Sequence, residues 1–97
     1  MVATKPGRID YPSDVEVFVI GMIGGLSYKL TLSVPAWADF DILVMDRDQN
    51  IVGVGILGRG ETEVVFITPR YTGSFLVGIG SSNGATGNFT LKLWRRT

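Results

Sequence analysis

The sequence predicts an all-β fold, an antiparallel, jelly-roll-like β-sandwich of seven to eight strands. Three observations predict it. Apolar residues recur with a period of two, short β-branched and aromatic runs alternate with turn residues, and thirteen glycines occur with no stretch of helical periodicity.

The elements follow in order. Residues 1–6 read as a flexible N-terminal segment, with a short strand around Arg8–Tyr11. Val15–Ile20 is the first long β-branched and aromatic run. Leu26, Tyr28, Leu30, Leu32 and Val34 then alternate with Ser27, Lys29, Thr31 and Ser33, the pattern of a half-buried antiparallel strand. Further strands are expected at Phe40–Met45, Ile51–Ile56, Glu63–Thr68 and Ser74–Ile79. Phe89, Leu91 and Leu93, alternating with Thr90 and Lys92, mark the last. Turn chemistry punctuates them at Gly24-Gly25, Pro35, Asp48–Asn50, Gly58–Gly60, Pro69–Gly73 and Ser81–Gly84.

Ninety-seven residues make one domain, so residues 1–97 are read as a single sandwich. Nine basic and nine acidic residues balance, leaving no field to attract nucleic acid, and the Arg95-Arg96 pair is too small for a phosphate footprint. Without cysteine there is no disulfide framework. Without histidine the commonest general base and zinc ligand are missing. No run reaches the ~18 apolar residues of a membrane-spanning helix, and residues 1–13 lack the apolar core of a signal peptide.

Three motifs occur in order across residues 7–93. Gly7 and Ile9 precede Asp14, Glu16 and Phe18; Ala38, Asp39, Phe40, Asp41, Ile42, Val44 and Asp46 form the centre. Glu63, Val65 and Ile67, then Gly73, Phe75 and Val77, then Gly87, Phe89 and Leu91 close the set. Together they resemble the bacterial and archaeal pre-peptidase C-terminal domain, an accessory β-sandwich of secreted peptidases and other exported enzymes. Glu16 stands where that family has Asp, and Phe75 and Phe89 where it has Tyr, so any hydrogen bond of those tyrosines is lost here. The resemblance implies a jelly-roll-like sandwich, secretion, and a non-catalytic role in attachment or in stabilising a parent enzyme domain.

Asp39, Asp41, Asp46, Asp48 and Asn50 are the densest acidic group and the candidate ligands for calcium, which takes several carboxylate and carbonyl oxygens. No other cofactor is expected. The helix–loop–helix calcium loop is excluded, because Ile51 stands where it needs glycine and Leu57 where it needs a bidentate glutamate. The competing reading is a hairpin turn in which Asp and Asn cap backbone groups. Asp14 and Glu16 read as charges at a sheet edge that discourage aggregation. Gly53 and Gly55, and Gly58 and Gly60, lack the helix and Lys-Ser/Thr pair of a phosphate loop. Lys5, Lys29 and Lys92 could serve as a base in a histidine-free hydrolase, but none has a motif around it.

Trp37, Tyr71 and Trp94 are candidate residues for stacking on sugar rings or peptide side chains; for Trp37, in the loop before the central strand, the usual alternative is a buried loop plug. The strongest feature is a surplus of apolar residues. If Phe18, Ile20, Phe40, Ile42, Val44, Val65, Ile67, Phe75, Val77 and Phe89 point inward, then Val17, Val19, Leu43, Met45, Val64, Phe66, Leu76 and Trp94 point outward. A two-layer sandwich needs one apolar side per strand. The surplus is expected to form an outer face covered by a parent enzyme or by identical subunits, unless β-bulges turn some of it into the core. The expected function is therefore a non-catalytic binding or accessory module, not an enzyme. The alternative is a structural subunit that builds an oligomer or fibre through its apolar face.

Overall fold

The computed structural model describes residues 2–56 and 58–96; Leu57, weighed above as a calcium-loop position, lies outside them. The strands are β1 (Ala3–Ile9), β2 (Val15–Met22), β3 (Ser27–Ser33), β4 (Phe40–Met45), β5 (Ile51–Gly55), β6 (Glu63–Ile67), β7 (Gly73–Ser81) and β8 (Gly87–Arg96). They form two four-stranded sheets, ordered β1-β8-β3-β6 (sheet I) and β2-β7-β4-β5 (sheet II), and every pairing is antiparallel. Each connection crosses between the sheets except the β4–β5 hairpin, which is jelly-roll topology.

Every strand expected from residue 15 onward is present. Before it, the strand expected around Arg8–Tyr11 is longer and begins earlier. Ala3–Pro6, expected within a flexible segment, pair with Leu93–Thr90 of β8. Pro6 hid this strand from a reading by propensity, because proline lacks a ladder donor. An edge strand such as β1 tolerates it.

The inner faces follow the period-two reading. Ile20, Phe40, Ile42, Val44, Val65, Ile67, Phe75, Val77 and Phe89 are buried, and Phe18 packs on them partly covered. Phe89 meets the rings of Phe18 at 6.1 Å and Phe40 at 6.3 Å, both edge to face. At the outer edge of sheet II, Gly53 and Gly55 face inward. A Cβ on Gly53 would lie 2.7 Å from Val65 Cγ1, so this close approach of the layers requires glycine. Among the described residues no helix is long and apolar enough to cross a membrane.

The alternation leaves the two outer faces chemically unequal, and the functional question turns on that difference.

Candidate functional site

The outer face of sheet II is apolar on all four strands. Antiparallel register aligns its side chains in rows. Val17 lies beside Gly78, Gly78 beside Leu43, and Leu43 beside Val54. The row below is Val15, Gly80 and Asp41, and the row above is Val19, Leu76 and Met45. Val15, Val17 and Val19 on β2 are 58%, 56% and 65% exposed, and Ile56 just past β5 is 73% exposed. Asp41 is the one ionisable residue in these rows, and the Ser82 hydroxyl donates a hydrogen bond to it.

Gly78 and Gly80 leave a trough along β7, walled by Val15 and Val17 on one side and by Leu43, Val54 and Ile56 on the other. The groove measures about 520 Å3. Nothing inside the fold demands these glycines. A Cβ on Gly78 would sit 3.8 Å from the Leu43 carbonyl oxygen, and one on Gly80 3.8 Å from Val15, both ordinary contacts. The trough is open space, unlike the enforced gap at Gly53.

The outer face of sheet I is polar along its centre, with Ser27, Lys29, Thr31 and Ser33 on β3 and Thr90 and Lys92 on β8. Val64 and Phe66 of β6 lie on this side at the sheet edge, and the Lys29 ammonium sits 5.1 Å over the Trp94 ring. The surplus apolar residues therefore do not form one face, as the sequence suggested. Leu43, Met45 and Leu76 belong to sheet II, while Val64, Phe66 and Trp94 belong to sheet I. Period two separates inside from outside, but it carries no information on which sheet a strand joins.

The acidic group splits as well. Asp39 and Asp41 lie at the start of β4 and Asp46 just past its end, about 17 Å away at ~3.3 Å per residue. Asp46 is buried and caps its turn. It accepts the backbone N–H groups of Asp48 and Asn50, each at 2.9 Å, and the Asn50 amide at 3.1 Å. These bonds, led by that from the Asn50 backbone, hold its carboxyl below the usual carboxylate range. The turn so fixed carries Gln49 at φ 67°. Asp46, Asp48 and Asn50 thus take the capping arrangement. Beside them, burial and the charges of Asp46 and Asp48 push the Tyr71 hydroxyl up, while its ring stacks on Phe75 at 5.8 Å.

Asp39 and Asp41 meet a residue the sequence reading passed over. Carboxylate oxygens of Asp39, Asp41 and Glu63 all lie within 4.8 Å of one another, and Glu63 is fully buried. Such a group could hold a hard cation through three oxygens. Burial, and then the neighbouring Asp39 charge, raise the Asp41 carboxyl above its usual 3.8 against the lowering effect of Ser82. Protonated Asp41 therefore favours the fold. Its contribution is present below the unfolded value and is lost as pH rises through the folded one. Asp41→Asn is expected to raise the melting temperature at pH 7, with the gain fading below about pH 4, where wild-type Asp41 is itself neutral. Calorimetry at pH 7 and pH 3 checks this; an equal gain at both would break the link to ionisation. A second acidic group joins Asp14 and Glu16 to Asp10, and the Asp10 backbone N–H donates to Asp14 at 2.9 Å.

Trp37 is not a buried plug. It is 61% exposed, and its indole N–H donates to the Thr86 carbonyl at 2.9 Å. Asn83 ties the same two loops together, donating its amide to the Trp37 carbonyl at 3.1 Å.

Comparison with known structures places the architecture. The chain is similar in fold to Aeromonas hydrophila PliG. That protein is a periplasmic lysozyme inhibitor of g-type lysozyme; the match has a TM-score of 0.76 at 12% identity and covers 97% of this chain and 85% of PliG. No protein-family profile matches the chain. No curated protein matches it either. The pre-peptidase resemblance stands on its motifs alone.

Two signals for the missed residues were present in the sequence. Glu63 is in phase with inward Val65 and Ile67, so a charge falls on a core position. Gly78 and Gly80 are in phase with outward Leu76, which marks a gap on a face and not a turn.

Proposed function

We propose that this chain is a non-catalytic module that works by binding another protein, through the outer face of sheet II and outside the cytoplasm. One observation carries the reading: apart from Asp41 and Ser74, the outer side chains of sheet II are apolar or glycine, whereas the central strands of sheet I present Ser, Thr and Lys beside Trp94. An antiparallel sheet facing water on one side ordinarily alternates apolar with polar residues. A face that abandons the alternation on four adjacent strands is built to be covered. The similarity in fold to PliG, a periplasmic inhibitor of g-type lysozyme, supports both the binding role and the location. The pre-peptidase resemblance points the same way, toward an exported accessory domain with an enzyme domain or identical subunits as partner. The proposed calcium ligands are Asp39, Asp41 and Glu63, whose carboxylate oxygens converge. A melting temperature unmoved by calcium and by chelator would remove the site.

Fluorescence of a hydrophobic dye at about 1 μM protein tests the face. The native chain is expected to enhance emission, and Val17→Lys combined with Leu43→Lys to abolish most of the enhancement while keeping a β-type circular dichroism spectrum. Equal emission from the two proteins would sink the reading, since lysines at the centre of an adhesive face must disrupt it.

A further inference from the structure

We infer that the partner on this face is a second copy of the chain, packed sheet II against sheet II, with Leu43 of each copy seated over Gly78 of the other. The inference rests on the binding face proposed above and adds its occupant.

Self-association through a closed two-fold contact requires a surface that carries its own complement. This one does. The midline of sheet II runs between β7 and β4, and across it Leu43 stands beside Gly78 in register. A two-fold axis parallel to the strands on that midline lays β4 over the partner's β7 and β2 over the partner's β5. Each Leu43 then enters the other copy's glycine trough, while Val15 and Val17 meet Val54 and Ile56. The trough measures about 520 Å3, and no internal contact demands the glycines at its floor, since alanine would fit at either. A knob and an unexplained hole side by side at the sheet centre are what an isologous contact needs.

Area and charge agree. Four strands at ~4.8 Å and roughly six residues at ~3.3 Å give a footprint on the order of 400 Å2 per copy. Side-chain relief raises the accessible area, so two copies bury on the order of 1,000 Å2, the lower bound for a specific interface. The expected dimer is therefore weak, with Kd in the micromolar range. The chain has no net charge, so copies do not repel at a distance. Asp41 lines the same trough one row from the Leu43–Gly78 centre, at the end where Ser82 donates to it, so the contact must leave that end open to water. The contact would repeat the packing of the fold's own core, two sheets ~10 Å apart.

Sedimentation equilibrium from about 1 to 500 μM reads the result. The wild-type chain is expected to pass from one chain mass to two. Gly78→Val keeps the face apolar and suits a strand, but fills the trough; it is expected to stay monomeric across the range while still binding the dye. Leu43→Lys is expected to lose both dimer and dye. A wild-type chain that stays monomeric at 500 μM yet binds the dye would overturn the second-copy assignment and leave the binding face standing. A monomer that does not bind the dye would remove both. A Gly78→Val dimer as tight as wild type would overturn the Leu43-in-trough packing.

Discussion

Phe40→Ala is expected to lower the unfolding free energy by about 4 kcal/mol. Phe40 is fully buried at the start of β4, a strand with hydrogen-bonded neighbours on both sides. Its ring packs edge to face against Phe89 at 6.3 Å, an arrangement worth ~1 kcal/mol beyond the area it buries. Truncation removes that contact and leaves a hole the size of a ring. β4 is tied to β7 along its length and to β5 from Ile42 onward, so backbone collapse into the hole is restricted and most of the cavity cost remains. A domain of this size is stable by ~5–15 kcal/mol, so the variant would lose a large share of its margin and melt roughly 20 °C lower. Urea denaturation checks it: the midpoint should fall with the slope unchanged. A loss under about 1.5 kcal/mol would mean that Phe40 does not sit in a close-packed core.

The same packing explains how much could be read before the fold was in view. β3 and β8 were legible because each buries one side only, which writes a period of two into the chain, whereas β2 and β4 to β7 were legible as β-branched and aromatic runs between turn residues. On β4 Phe40, Ile42 and Val44 face inward and Asp41, Leu43 and Met45 outward, a direction that the sequence marks at Asp41 alone. β1 was less legible, because Lys5 and Pro6 do not read as strand residues and pairing with β8 supplies what propensity lacks. The candidate site was half legible. Leu43, Met45 and Leu76 were recognisable as outward and apolar, but their separation from Val64, Phe66 and Trp94 depends on strand order, a long-range property. The carboxylates failed for the same reason. Asp39 through Asn50 are close in sequence, yet a strand holds its ends apart, and the acid that joins Asp39 and Asp41 comes from β6 in the other sheet.

Gly78 and Gly53 show why a glycine cannot be interpreted without its surroundings. Both are strand residues of sheet II between apolar neighbours. One faces inward, where a methyl group would lie 2.7 Å from Val65; the other faces outward over a gap. Only the first is required by packing. An outward glycine at the centre of a sheet weakens the strand by ~0.5–1 kcal/mol relative to alanine. Gly78→Ala alone should therefore not harm the fold, so the trough is a feature of the surface and not of the core.

Gly7→Ala is expected to cost about 3 kcal/mol, at the upper end for one added methyl group. Gly7 pairs with Phe89 across β1 and β8, and the Phe89 ring lies over it. A Cβ at Gly7 would come within 2.2 Å of Phe89 Cζ, 2.6 Å of Cε1 and 2.9 Å of Cε2. The ring cannot simply swing away, because Phe18 and Phe40 hold it edge-on at 6.1 and 6.3 Å. The atoms in conflict belong to the far half of the ring, and a leucine at 89 lacks them. In a Phe89→Leu background, Gly7→Ala should therefore become neutral or slightly stabilising, since alanine loses less backbone entropy than glycine in a strand. Four urea curves close the double-mutant cycle, with an expected coupling of about 2–3 kcal/mol. If Gly7→Ala costs the same in both backgrounds, the Phe89 ring does not cover Gly7, and the closure of the β1 edge of the core must come from somewhere else.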